Sequence, residues 1–402
     1  MDENVTPPAP APVSASAPLP PPPPLRAAPP RFQQPAYTPP APRGGRGWKV
    51  FALILCVLLV IALVMNPLQM FLDLASGGGG GGMMSGHSSG PQLQEQWLED
   101  NGSANRIVVV PVEGVITSQG IGRGGPMDTA RGGPTMIEII EGQFKHAAED
   151  KRVKAVVLKV NSPGGEVLAS DDIYHLIEKF QRQTGKPVVA AMGSLAASGG
   201  YYVSAPCQWI VANELTITGS IGVIMHGYNF RGLMDKVGVR PEVFKSGKFK
   251  DMLSFDKKEE DITQEERDMV QSMVNETFDK FKSIVAEGRG HAARKNSADP
   301  GRTLTDNWVQ YADGRILSGK EALKQGFVDE LGNFDVAVAR AQKLAKISDA
   351  NLIQYQPVFG LGDLLGMFGK SEAQTLKIDL GLDLPKLQLG RLYFLCPLAL
   401  PR

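Results

Sequence analysis

Cysteine is scarce in this 402-residue chain. Cys56, Cys207 and Cys396 are too few and too scattered for a disulfide framework or a zinc cluster. Histidine is nearly as rare, at five residues with no HxxxH spacing, which argues against a metal enzyme. No charge of one sign dominates. The 42 basic and 42 acidic side chains cancel, so bulk binding of nucleic acid has no support. Proline is common overall but thin beyond the N-terminal tail: sixteen of the 30 lie before residue 44. What the chain does have is 43% apolar residues, enough for one large domain or two small ones once that tail is set aside.

Residues 1–47 form a Pro/Ala tail with five successive prolines at Pro20–Pro24. Such a composition buries no core, and we expect an extended, disordered cytoplasmic segment: a solvated spacer or a dock for a polyproline-binding partner. Sixteen consecutive apolar residues follow, Val50–Met65. At 1.5 Å per residue they cover about 24 Å of a ~30 Å hydrocarbon core. The expected transmembrane helix is therefore 48–72, which adds Trp48 as an interfacial anchor. Arg43, Arg46 and Lys49 precede the span, and no Lys or Arg follows until Arg106. The positive-inside rule puts the tail in the cytoplasm and the remainder outside the cytoplasmic membrane. A cleaved signal peptide fits poorly, because the preceding region is too long and no small-x-small site follows. Residues 73–105, with six glycines at Gly77–Gly82, read as a leash.

The globular domain is expected at 106–345, followed by a Leu-rich extension, 346–402. Apolar runs predict strands at Ile107–Val112, Val153–Val160, Pro187–Met192 and Trp209–Ala212. Helical periodicity marks Ile137–Ala148 and Glu166–Gln183, with a short helix from about Ser198. This alternation, at about 30 residues per unit, argues an α/β fold with a parallel sheet. Thr263 with Glu266 forms a capping box that opens a long helix, and Gly288 is placed at its end. The last thirty residues read as an edge strand or as an arm that docks on a neighbour.

In open α/β sheets, sites form where strands lead into helices. Three such junctions are rich in small residues. Asn161-Ser162-Pro163-Gly164-Gly165 allows close backbone approach before a helix N-terminus; it suits an oxyanion hole or a plain tight turn. Met192–Tyr202 contains Ser194 and Ser198. Ser198, between small residues and two glycines, would be exposed to substrate in the positive field of a helix start, or it would simply cap that helix. Local sequence barely separates the two serines. Leu215–Val223 fits a site wall and contains Ser220. Downstream, His226 and Lys250 are the candidate bases. A lysine serves only when neutral, and lowering its pKa from about 10.4 to about 7–8 takes roughly 4 kcal/mol of desolvation or like-charge repulsion. In a Lys-rich loop such a residue is otherwise a solvated charge.

Five stretches carry a family likeness: "NSPGGEV", "MGSLAASGGYYV", "TGSIGVI", "KSGKFKD" and "ADGRILSGKEALKQGFVDELG". In that order and spacing, residues 106 to 335 resemble the signal peptide peptidase A type of membrane serine protease (peptidase family S49), in its single-repeat form. The resemblance implies a crotonase- or Clp-protease-like superhelix of ββα units. It implies Ser198 as the nucleophile, Lys250 as the general base, Gly165 and Gly199 as oxyanion donors, and Ser220 as the residue that orients the lysine. It also implies a homo-oligomeric ring on the membrane in which serine and lysine come from neighbouring subunits. The long Pro-rich tail and the C-terminal extension depart from the pattern.

These strands of argument converge on a single-pass membrane serine endopeptidase. It would need no cofactor or metal; the resemblance adds a Ser-Lys dyad and, as substrates, cleaved signal peptides and other apolar peptides. Two alternatives stand beside it. His226 lies 28 residues after Ser198, near the spacing of Clp-type Ser-His-Asp proteases of the same fold. A non-catalytic membrane scaffold also shares the fold. An acyl-CoA hydratase fits less well, since it wants a carboxylate where Ser198 stands.

Overall fold

The computed structural model describes residues 91–120, 134–299, 301–358 and 391–396. The tail 1–47, the span 48–72 and the glycine run lie outside the described residues. Among the described residues no helix is long and apolar enough to cross a membrane.

The chain enters with strand β1 (Leu93–Glu99) and continues into β2 (Arg106–Glu113). Thr135 then caps helix α1 (Met136–Glu149): its hydroxyl accepts from the Glu138 N–H, and the Glu138 carboxylate accepts from the Thr135 N–H. Next come β3 (Val153–Ser162), the short β4 (Gly164–Glu166), α2 (Val167–Thr184), β5 (Val188–Ala197) and α3 (Gly199–Ser204). The middle of the chain supplies β6 (Trp209–Ala212), β7 (Ile217–Gly219), β8 (Ile224–Met225), α4 (Arg231–Val237) and α5 (Gln264–Lys295). The remainder is β9 (Ile316–Ser318), α6 (Gly319–Gln325), β10 (Glu330–Leu331), α7 (Phe334–Ala345), β11 (Asn351–Pro357) and β12 (Leu392–Leu395).

Nine strands make one sheet in the order β1-β11-β2-β3-β5-β6-β10, with β7 joined to β5 and β9 to β7. The run from β11 to β10 is parallel throughout, as the alternation of strands and helices predicts. Both faces are covered, which is why the central strands are nearly continuous Val, Ile and Ala. On one face Val108, Val110, Val156 and Leu158 pack with Ile140, Phe144, Ile173 and Phe281 of the helices. On the other, Ile107, Ala155, Val157 and Trp209 pack against Ala337 and Ala341 of α7.

Three local readings differ from the structure. Strand β5 does not stop at Met192; it runs on to Ala197. Its first half pairs with β6 and its second with β7, so the change of partner falls at Gly193-Ser194. Helix α5 does not end at Gly288 but continues to Lys295. Gly288 is needed inside it because a Cβ there would strike the Ala205 carbonyl at the end of α3. The stretch read as leash contains β1, which pairs antiparallel with β11 in the stretch read as extension.

The described segment 391–396 of the C-terminal extension is not an edge strand. Strand β12 is the middle strand of a separate three-stranded sheet, β4-β12-β8, antiparallel to both neighbours.

Candidate active site

Strand β5 delivers Ser198 directly to the start of α3. Its backbone stands at φ 55°, ψ −116°, a conformation a non-glycine residue rarely holds and one that costs on the order of 1–3 kcal/mol. The surrounding hydrogen bonds impose it. The Ser198 N–H donates to the Gly219 carbonyl (2.8 Å), and the Tyr202 N–H donates back to the Ser198 carbonyl (2.8 Å). Ser198 occupies the N-cap position of α3 but its hydroxyl makes no capping bond. The simple capping role is therefore absent. The expected exposure is also absent: Ser198 is only 1% exposed. Ser194 lies exposed along β5, on the segment that pairs no further than β7 allows.

The glycine turn of the first junction packs against this corner. Gly164 has φ +94°, and a Cβ on it would collide with the Phe394 carbonyl and stand 2.5 Å from the Gly199 nitrogen. A Cβ on Gly199 would stand 2.7 Å from Ser170 Oγ and 3.2 Å from the Gly165 nitrogen. The backbone amides of Gly165 and Gly199 are thus brought side by side next to Ser198, with no room for side chains between them. Ser220 joins the same corner. It follows Gly219 in a second strained turn (φ 50°), is nearly buried, and its N–H donates to the Arg315 carbonyl (2.7 Å).

Lys250 lies exposed in a run of turns, and no hydrogen bond joins it to Ser198 or Ser220. It does differ from its neighbours. Lys245 pairs with Asp251 (2.7 Å), Lys248 with Glu265 (2.6 Å), Lys257 with Glu266 (2.5 Å) and Lys258 with Glu260 (3.2 Å). Among the described residues Lys250 alone of these five lysines has no carboxylate partner. His226, just past β8, is exposed and makes no hydrogen bond among the described residues.

One residue of the corner escaped the sequence reading. Glu166 ends β4 and is 6% exposed. Its carboxylate accepts from the Ser118 hydroxyl (2.6 Å), the Ser118 amide (3.1 Å) and Thr117 Oγ1 (3.3 Å), and it pairs with Arg391 (3.0 Å). Burial pushes its pKa up, but the Ser118 hydrogen bonds, the Arg391 charge and Thr117 outweigh burial and hold it below the ordinary value. The sequence signal was slight: an acid at the start of a helix, where the helix field favours it.

A serine forced into a strained strand-to-helix corner, with bare backbone amides beside it, is built for nucleophilic acyl transfer. Comparison with known proteins agrees. Residues 180–348 match the model of peptidase family S49. The chain is 36% identical over 266 residues to a putative signal peptide peptidase SppA of Enterococcus faecium, covering 66% of this chain and 71% of that one. It is 37% identical over 236 residues to a putative protease of Synechocystis sp., covering 58% and 79%. It is 31% identical over 251 residues to the chloroplastic serine protease SPPA of Arabidopsis thaliana, covering 61% and 35%. The chain belongs to peptidase family S49, the signal peptide peptidase A family, and is a serine-type peptidase.

Proposed function

We propose that this peptidase is a membrane-anchored endopeptidase with a Ser198–Lys250 dyad, acting outside the cytoplasmic membrane on cleaved signal peptides and other apolar, extended peptides. Its catalytic domain would be a crotonase-like ββα superhelix behind an N-terminal transmembrane helix. The observation that carries the reading is the corner at Ser198, strained, non-capping and flanked by the Gly165 and Gly199 amides. Ser198 Oγ attacks the peptide carbonyl while Lys250 takes its proton. The oxyanion is held by the two amides, the leaving amine takes the proton, and Lys250 then activates water to release the acyl group. Ser220 orients the lysine.

Among the described residues Lys250 is exposed and makes no hydrogen bond to Ser198, and it lacks the carboxylate partners of its neighbours. Both facts favour a ring in which each subunit lends its lysine to the next.

A fluorophosphonate probe tests the nucleophile. Labelling of the full chain is expected, and its loss in Ser198→Ala with unchanged circular dichroism. Lys250→Met should remove hydrolysis, while His226→Ala keeps most of it; the reverse pattern would replace the dyad by a histidine mechanism. For topology, protease added to spheroplasts should trim the domain and spare the Pro-rich tail, whereas trimming of the tail alone would invert the orientation.

A further inference from the structure

Ser198 and Ser220, the two strained serines of the corner, are joined through one peptide unit. The Gly219 carbonyl accepts from the Ser198 N–H (2.8 Å), and the N–H of that same peptide, on Ser220, donates to the Arg315 carbonyl (2.7 Å). A trans peptide points its carbonyl and its N–H in opposite directions. The Gly219–Ser220 peptide is therefore held from both sides, by the end of β5 and by the residue just before β9. Hydrogen bonds in such a chain polarise and strengthen one another. A Cβ on Gly219 would stand 3.1 Å from the Arg315 carbonyl, so that oxygen is pressed close against the strand it holds.

The Arg315 carbonyl is set in turn by a tight turn, Asp313-Gly314-Arg315. Gly314 takes φ +88°, and its N–H donates to the Ile221 carbonyl (3.0 Å). A Cβ on Gly222 would stand 3.1 Å from Gly314 Cα, so the two segments touch along their backbones. Side chains close the turn. Asp313 Oδ1 accepts from the Arg315 N–H (3.1 Å) and from Arg315 Nε (2.7 Å), and Oδ2 accepts from Nη2 (2.6 Å). The guanidinium also lies over the Tyr311 ring, 5.2 Å from its centroid. The Arg315 hydrogen bonds hold the Asp313 carboxyl down from the ordinary 3.8 to about 2, so the fork stays an ion pair at any pH where a peptidase would act. Beyond the turn, β9 pairs antiparallel with β7, with Ile316 opposite Gly219 and Leu317 opposite Thr218.

The same fork recurs at Asp150-Lys151-Arg152. Asp150 Oδ1 accepts from the Arg152 N–H (2.8 Å) and Nε (3.1 Å), and Oδ2 accepts from Nη2 (3.1 Å). There the Arg152 carbonyl accepts from the Arg106 N–H (2.8 Å), at the start of β2 and β3. The far end of β3 is Ser162, whose carbonyl packs against Gly200 beside the corner. The two forks thus sit at opposite ends of the same sheet. They share their local chemistry and differ in what the presented carbonyl holds. Arg315 and Asp313 are 49% and 48% exposed, and an exposed ion pair adds little to stability. What this fork supplies is the place of one carbonyl.

We propose that Asp313 and Arg315 are positioning residues for the Ser198 corner. Their fork fixes the Arg315 carbonyl, that carbonyl fixes the Gly219–Ser220 peptide, and the peptide sets the backbone from which the Ser198 hydroxyl is presented. Neither side chain touches the reacting atoms. The proposal rests on the assignment of Ser198 as nucleophile. It adds a surface ion pair, more than one hundred residues further along the chain, on which turnover depends.

The test uses the full chain as wild type, Asp313→Ala, Arg315→Met, the double variant, Asp313→Asn, Arg152→Met and Ser198→Ala, with a quenched fluorescent octapeptide of apolar residues as substrate. Asp313→Ala and Arg315→Met should each lower kcat roughly tenfold and leave KM within about twofold, because the nucleophile is misplaced and substrate contacts are kept. The double variant should be no slower than the singles, since one fork can be lost only once. Asp313→Asn keeps the Oδ1 acceptor and should return kcat to within about threefold of wild type. Arg152→Met, which opens the other fork, should keep wild-type kcat. The urea midpoint of every fork variant should stay near that of wild type, which a merely structural role would not predict alongside a lost kcat. Wild-type kcat in both Asp313→Ala and Arg315→Met overturns the proposal. So does an equal loss in Arg152→Met, or a loss that follows a fall in the urea midpoint. If Ser198→Ala still labels with fluorophosphonate and still cuts, or if wild type does neither, the assignment of Ser198 fails instead. Amide exchange then decides the fork: faster exchange at Ser198 and Ser220 in Asp313→Ala, with Arg106 unchanged, supports its hold on the corner, and equal exchange overturns it.

Discussion

Two parts of the molecule differ sharply in how completely one chain finishes them. Around Ser198 everything is closed: Ser162, Ser170, Ser198, Tyr201 and Tyr202 are buried, and glycines stand where no side chain fits. Around Lys250 the chain is open. Helix α4 buries no residue, Phe244 is 93% exposed, and Tyr228, Leu233, Val237 and Leu253 also face outward. Isolated apolar residues on a surface are ordinary, but a cluster of this kind marks a contact face. Helix α5 spans the difference. Its second half packs Phe281, Ile284 and Val285 into the core, whereas Met273 in its first half is exposed. Ser198 and the Gly165 and Gly199 amides are thus organised within the folded core, whereas Lys250, the proposed base, stands on an open surface.

The largest effect that would break this comparison comes from mixing defects. Ser198→Ala and Lys250→Ala chains, unfolded and refolded together at 1:1, should recover roughly a quarter of wild-type hydrolysis, since each partner brings its intact residue half the time. Background activity in a mixture that demonstrably co-assembles would put both residues in one chain.

The closed half should also be the more costly to damage. Arg289 and Asp329 form an ion pair with both side chains 1% exposed, and Asp329 also accepts from the Ile210 amide (2.8 Å). Burial pushes the Asp329 pKa up, against the pull of Arg289. Arg289→Met should destabilise the chain by about 3–5 kcal/mol in urea unfolding, because it strands a buried carboxylate. A loss under 1 kcal/mol would show that water reaches the pair.

A smaller, pH-dependent effect belongs to Glu166. Its folded pKa is lowered from the ordinary 4.5, so the folded state binds this proton less readily than the unfolded chain. Its stabilising contribution is therefore present above about pH 4.5 and is lost as pH falls through the lowered value. Thermal melts of wild type should show that acid loss, and Glu166→Gln should lack the component. Parallel curves for the two would remove Glu166 from the linkage.

The smallest effect expected is at the open end of α5. Thr263 and Glu266 form a reciprocal cap there, as Thr135 and Glu138 do for α1. Thr263→Ala should cost about 1 kcal/mol, read as faster amide exchange confined to the first turns of α5. Exchange spreading to Phe281 would mean that the two halves of the helix unfold together.

Local pattern was enough to read most of the elements. Apolar runs marked β2, β3 and β6, helical spacing marked α1 and α2, and the Thr-x-x-Glu spacing marked the start of α5, because each signal acts within a turn or a strand. The motif glycines pointed to the corner for the same reason: a missing side chain is visible in sequence, and so is its place between a strand and a helix. The boundary of β5 was misread because a change of pairing partner leaves no mark on the strand itself.

By itself, then, the amino-acid sequence determined the α/β class, the order of the elements and the stretch that holds the candidate nucleophile. The tertiary structure alone decided which of two nearby serines is strained and buried, that Gly288 serves a helix crossing, and that β1 pairs with β11. It also decided that a strand near the C-terminus runs between β4 and β8, where Arg391 meets Glu166 across 225 residues. The physical reason is that alternation and periodicity say which face of an element is apolar and nothing about which element will cover it. That choice is made by closure of long loops and by the shape of the surfaces they bring together.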